Sequence, residues 1–157
     1  MTWIIIIKLI HIIAATIWIG GIIFTTLMSR GLRREMPQRE VTALVQRVGR
    51  IIASPMRISL YIAIGTGPFL LLSRGINPIT LLLEVDTFVE ALAASKTILA
   101  AIIVVLAIYH TRIGSRLSGL EDDKEYSRTR MKLIVVGWLS LILTLALPVL
   151  GTIMRYS

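Results

Sequence analysis

Four stretches of this chain, at about residues 4–28, 51–73, 90–111 and 132–154, are apolar over some twenty residues or more and nearly free of charge. A helix rises about 1.5 Å per residue, so each stretch matches the roughly 30 Å hydrocarbon layer of a bilayer. Backbone polar groups find no partner in lipid, and a helix satisfies them internally. The expectation is an all-α integral membrane protein, an antiparallel four-transmembrane-helix bundle forming a single transmembrane domain over residues 1–157. Composition agrees: 55% of the 157 residues are hydrophobic and 17% charged, above the roughly 45–50% apolar content of soluble domains. That excludes a multidomain soluble enzyme. The first stretch lacks a basic leader and a small-residue cleavage pattern, so it reads as a retained span. Pro68 is expected to kink the second span, and Pro148 lies in the fourth.

The charges decide the expected orientation. Arg30, Arg33, Arg34, Arg39, Arg47, Arg50 and Arg57 lie between or at the edges of spans one and two, and Arg112, Arg116, Lys124, Arg128, Arg130 and Lys132 between spans three and four. Lys8, Arg74, Lys96 and Arg155 are left for the opposite side, with Glu84, Asp86 and Glu90. Basic loops stay cytoplasmic, which places both termini outside a cell membrane. Anchoring to anionic lipid then explains the net charge of +8, and no nucleic-acid partner is expected. The partner is the lipid bilayer, with a homo-oligomer or a membrane-complex subunit left open. In the first basic loop, Val41, Leu44, Val45, Val48, Ile51 and Ile52 recur at helical spacing while Arg39, Gln46, Arg47 and Arg50 take other faces. With Pro37 ahead of it, this reads as an amphipathic cytoplasmic helix between spans one and two. Residues 75–89 combine a Gly/Asn/Pro turn with an apolar run too short to cross, which suggests a short interfacial helix.

With no cysteine in the sequence, disulfides, thiolate metal sites, iron–sulfur clusters and a cysteine nucleophile are excluded. No P-loop, GxSxG, HExxH or paired-carboxylate motif occurs, and Glu121, Asp122, Asp123 and Glu125 read as a solvated loop. An ionisable group within a span costs roughly 2.5–3.5 kcal/mol, so each one needs an explanation. Lys8 and Arg57 sit near span ends and reach the headgroups by snorkelling, although an Arg57 facing inward would pair with an anionic ligand. His11 lies roughly 10 Å below the start of span one, too deep for imidazole to snorkel. It must face other helices, on a stripe with Lys8, Ala15, Trp18 and Thr25 and close to Ala14, Gly20 and Gly21. Two readings stand: a neutral histidine bonded to a neighbouring carbonyl or hydroxyl, or a haem or metal ligand.

Lys96 falls at about the same depth in span three, near Glu90 and Ser95, so the outer half of the bundle offers a base, an acid and a hydroxyl. His110, beside Tyr109 and Arg112, reads as an interfacial residue or as a weaker, separate metal site. Axial ligands of one iron lie about 4 Å apart, whereas His11 and His110 differ in depth by roughly 20 Å, so they do not share a haem. Met1, Met28, Met36, Met56, Met131 and Met154 are scattered, unlike a thioether Cu(I) relay.

The stretch IKLIHIIAATIWIGGIIF, with His11, Trp18, Gly20 and Gly21, resembles the first helix of the CopD family of membrane proteins. The third span, LAASKTILAAIIVVLAIYH, is similar to the lysine-bearing helix of CopD proteins and of the related HemJ-type protoporphyrinogen oxidases, with Lys96 as the lysine and Tyr109-His110 as its ending. Pro55, Met56 and Gly65 or Gly67 in the second span also resemble the HemJ pattern. The resemblance implies a small helical bundle that handles copper or haem b, with His11, Trp18 and Lys96 as cofactor-binding residues and Lys96 and Arg57 as catalytic candidates. Residues 20–31 depart from the HemJ pattern, and the Arg/Asn/Glu/Pro element of the last HemJ helix is absent from residues 127–140. A CopD-like role in metal or haem handling or membrane electron transfer is therefore preferred to a HemJ-type protoporphyrinogen IX oxidase. A non-catalytic accessory subunit of a respiratory membrane complex is the third reading.

Overall fold

A computed structural model of the chain describes residues 2–83, 85–117 and 119–156. Its helices are α1 (Thr2–Leu32), α2 (Gln38–Leu72), α3 (Phe88–Leu117) and α4 (Asp123–Tyr156), with a 3-10 turn at Thr80–Leu82. All four α-helices are long and apolar enough to cross a membrane, and no strand occurs among the described residues. Met1 and Glu84, singled out in the sequence, lie outside the described residues. The exposed surface is dominated by large apolar side chains such as Leu27, Tyr61, Phe69, Val105 and Ile142, as expected of helices solvated by lipid tails.

Local sequence sets the helix ends. α2 stops at a Schellman motif: Ile76 N–H donates to Leu71 C=O at 3.1 Å and Gly75 N–H to Leu72 C=O at 3.0 Å. The motif needs a left-handed residue, supplied by Gly75 at φ 78°, and Ile76 and Leu71 supply its apolar contact. α3 begins with a capping box. Glu90 accepts from Thr87 N–H at 2.9 Å and from the Thr87 hydroxyl at 2.9 Å, while Glu90 N–H donates to Thr87 Oγ1 at 3.2 Å. Asp122 opens α4 by accepting from Lys124 N–H at 3.0 Å.

Two features differ from the sequence expectation. The stretch anticipated as a helix leading into span two is continuous with that span: Pro37 occupies the N-cap position and α2 runs unbroken for 35 residues. Nothing between Gln38 and Pro55 breaks a helix except Gly49, and one glycine costs only about 1 kcal/mol. Pro55, Pro68 and Pro148 all lie inside helices without ending them. Among the described residues between α2 and α3, the stretch 75–87 forms only the 3-10 turn, whose Leu81 is 2% exposed in a small core with Ile76, Ala93, Ala94 and Met154.

The helices associate in two pairs, α1 with α2 and α3 with α4, while α1 touches α4 and α2 touches α3 only sparsely. Glycines make the close approaches. A Cβ built on Gly21 would lie 2.7 Å from Met56 Sδ, one on Gly137 3.6 Å from His110 Nε2, and one on Gly151 3.1 Å from Lys96 Nζ. At the basic end the two pairs are joined by an exposed Arg39–Asp123 ion pair, with Arg39 stacked 5.5 Å from the Tyr126 ring. Tyr126 hydroxyl donates to Thr42 Oγ1 at 2.8 Å, and Gln46 Nε2 donates to Gly114 C=O at 3.0 Å. At the other end Arg74 Nη1 donates to Met154 C=O at 3.0 Å.

Gly21→Val is expected to destabilise the detergent-solubilised protein by about 1–3 kcal/mol, because the added carbons overlap Met56. Met56→Ala in the same chain should recover most of that loss. Thermal unfolding of the two single variants and the double variant measures the coupling.

Candidate functional site

His11 Nδ1 is hydrogen-bonded to Thr66 Oγ1 on α2 at 2.8 Å, and the Ala63 carbonyl one turn earlier on the same helix also acts on the ring. The direction of the Thr66 bond follows from the threonine. Thr66 Oγ1 lies 2.7 Å from Ile62 C=O and 3.2 Å from Ala63 C=O, and carbonyls only accept. The single hydroxyl proton goes to the helix backbone, so Thr66 accepts and His11 Nδ1–H donates. In the neutral ring Nε2 then carries the lone pair. Such a ring is oriented by one nitrogen and offers the other to an electrophile or a metal.

Lys96 enters the same region from α3. Its ammonium rests against Gly151 of α4, a position that any larger residue there would obstruct. The lysine is half-buried and lies within electrostatic range of His11, and the Arg74 guanidinium acts in turn on Lys96. Imidazole, ammonium and guanidinium thus occupy one end of the molecule, a combination that favours an anionic or electron-rich ligand.

A second level lies inward of this one. Trp18 is seven residues along α1 from His11, and Thr144 seven residues along α4 from Gly151, each roughly 10 Å away along its helix. The Trp18 indole nitrogen and the hydroxyls of Thr144 and Ser140 are buried, with no hydrogen-bond partner among the described residues. Thr144 is 0% exposed. Leaving such groups unpaired costs about 1–3 kcal/mol each, so α1 and α4 carry buried hydrogen-bonding capacity that the described residues do not use.

Other sequence candidates fall elsewhere. Glu90 and Ser95 do not join His11 and Lys96: Glu90 is committed to the capping box, and the Ser95 hydroxyl donates to Ala91 C=O at 2.8 Å. Lys8 is exposed. Arg57 is exposed too, nine residues and roughly 13 Å along α2 from Thr66. His110 packs its ring over Gly137, fourteen residues and roughly 21 Å along α3 from Lys96. Among the described residues no group of three or more His, Cys, Asp or Glu side chains converges on a common point. Sequence reasoning missed Thr66 and Arg74. The one available signal for Thr66 was a hydroxyl between two glycines in an apolar run; Arg74 carried no signal beyond being one of few cations on its side.

No family model matches the chain, and no curated protein or solved structure is significantly similar to it.

Filling the Gly151 seat is expected to expel the ammonium it holds. In Gly151→Val, Lys96 should react several-fold faster with a water-soluble amine reagent than in the parent protein, with Lys8 and Lys124 as internal references. Peptide mass spectrometry of the labelled protein reads the ratio.

Proposed function

We propose that this chain is a CopD-like integral membrane protein that binds haem b in the outer half of its bundle, where His11 would hold it, and that serves haem handling or membrane electron transfer. The reading includes an antiparallel four-span bundle with external termini and cytoplasmic basic loops. The close pairs support that topology, because residues 11 and 21 of α1 meet residues 66 and 56 of α2, and residues 96, 110 and 114 of α3 meet residues 151, 137 and 133 of α4. The positive-inside rule supplies the orientation. The helical stretch ahead of span two, with its basic and apolar positions, is read as the cytoplasmic extension of that span.

One observation carries the haem assignment: the His11 ring is bonded through Nδ1 to Thr66, and with the threonine proton committed to its own helix backbone the neutral ring keeps its lone pair on Nε2. A histidine that would hold haem iron commonly has its other ring nitrogen fixed by an outer hydrogen bond, as Thr66 would do here. Copper fits less well. A protein copper site gathers several donors, yet here a single imidazole stands without a second histidine, and Met56 packs on Gly21, ten residues and roughly 15 Å along α1 from His11. When bound, haem supplies one-electron redox chemistry at its iron. The chain's own residues do the rest. Thr66 fixes the ring plane, Lys96 and Arg74 provide positive charge suited to propionates, and the unpaired Trp18 N–H offers a donor deeper in the bundle. Apolar side chains around the site exclude water.

A HemJ-type protoporphyrinogen IX oxidase is the second reading, favoured by the proximity of the Lys96 charge to His11. It is separated from the first by assay, since only that reading requires porphyrinogen oxidation that depends on Lys96.

Spectra of the detergent-purified protein, oxidised and dithionite-reduced, test the proposal together with metal analysis. A Soret band is expected in the parent protein and in His110→Ala, and its loss in His11→Ala. Absence of a band after haem supplementation, a band indifferent to His11, or stoichiometric copper in place of haem would each contradict it.

A further inference from the structure

At the basic end, a groove of about 920 Å³ opens between α3 and the first half of α4. Its lining includes the cations Lys124, Arg128 and Lys132 and the side chains of Tyr109, Met131 and Val135. The three cations are spaced i, i+4, i+8, so they form one row on one face of α4, roughly 12 Å long. Like charges at this spacing repel each other. Lys124 also lies in the first helical turn, where the backbone dipole disfavours a cation and favours an anion. Glu121, Asp122 and Glu125 lie close in sequence, but among the described residues that line the groove the one acid, Asp123, is paired with Arg39. All three cations are exposed, and among the described residues none of their charged side-chain groups has a hydrogen-bond or ion-pair partner. The same helical face continues from the cations into Met131 and Val135, which are 59% and 58% exposed, and Tyr109 of α3 stands opposite at 47%.

We infer that this groove is a binding site for one anionic phospholipid, with its phosphate on Lys124, Arg128 and Lys132 and an acyl chain along Tyr109, Met131 and Val135. The inference rests on reading the chain as membrane-spanning, but it is independent of the haem assignment. Charge complementarity selects the headgroup: a zwitterionic lipid would bring its own cation into a row that already holds three. The continuous passage from cations to apolar side chains selects a lipid over a soluble phosphate, since a free anion would leave the apolar lining unused. Cationic side chains at a helix end, next to apolar surface and at headgroup depth, are the recurring chemistry of such sites.

Native mass spectrometry of the full chain, released from detergent containing equal amounts of phosphatidylglycerol and phosphatidylcholine, tests the inference. One bound phosphatidylglycerol is expected, preferred over phosphatidylcholine by roughly tenfold or more, as three interfacial cations imply. The triple variant Lys124→Gln, Arg128→Gln, Lys132→Gln should lose that preference. A control with the same charge change in the other basic loop, Arg34→Gln, Arg47→Gln, Arg50→Gln, should keep it. Both sets of side chains are exposed, and circular dichroism of each variant confirms retained helicity. Equal loss in the control would show a diffuse charge effect, and full retention in the groove variant would place the lipid elsewhere; either overturns the inference. Displacement of the lipid by millimolar inorganic phosphate would identify a free-anion site and overturn it as well.

Discussion

The hydrogen bond from His11 to Thr66 is the contact on which the proposed site depends. An imidazole roughly 10 Å from the start of an apolar span cannot reach water, and an unpaired N–H there costs several kcal/mol. Thr66 removes that cost without adding another, because its own proton returns to the carbonyl of Ile62 on its own helix. The bond therefore does two things at once: it fixes the register of α1 against α2, and it leaves a single defined nitrogen on His11 for chemistry.

Glycine performs the complementary task. Gly21, Gly137 and Gly151 each provide a place where a long side chain from the neighbouring helix, Met56, His110 or Lys96, lies against bare backbone. Small residues at helix interfaces substitute in lipid for the hydrophobic driving force that water provides elsewhere. Here they bring helices together in pairs, while polar contacts at the two ends join the pairs. The Arg39, Tyr126 and Thr42 contacts close the basic end, and Arg74 with the Ile76–Met154 cluster closes the other. Among the described residues three buried polar atoms, on Trp18, Ser140 and Thr144, remain without a hydrogen-bond partner.

The helices were legible in the sequence because their cause is local. An apolar run of about twenty residues dictates a span whatever its neighbours do, and the Thr87-to-Glu90 spacing has the signature of a capping box. The site was legible only in part. His11 and Lys96 stood out as ionisable groups in apolar runs, and their rough equality of depth followed from counting residues. Glu90 misled, because closeness in sequence to Lys96 suggested a shared site, whereas its carboxylate is used one turn away to cap its own helix. Thr66 and Arg74 were invisible for a different reason: their partners, His11 and the Met154 carbonyl, lie 55 and 80 residues away, and pairing at that separation is set by helix register, which no local pattern encodes. Pro37 illustrates the intermediate case, marking the start of a helix correctly while giving no sign that the helix would run unbroken into the span.

The most direct test of this account is the tautomer of His11 in protein prepared without haem, read by 15N NMR of histidine-labelled chain in detergent, with His11→Ala identifying the resonance. The account predicts a proton on Nδ1 and a bare Nε2, with the Nδ1 signal shifting when Thr66 is replaced by valine. A proton on Nε2, or a ring indifferent to Thr66, would contradict it.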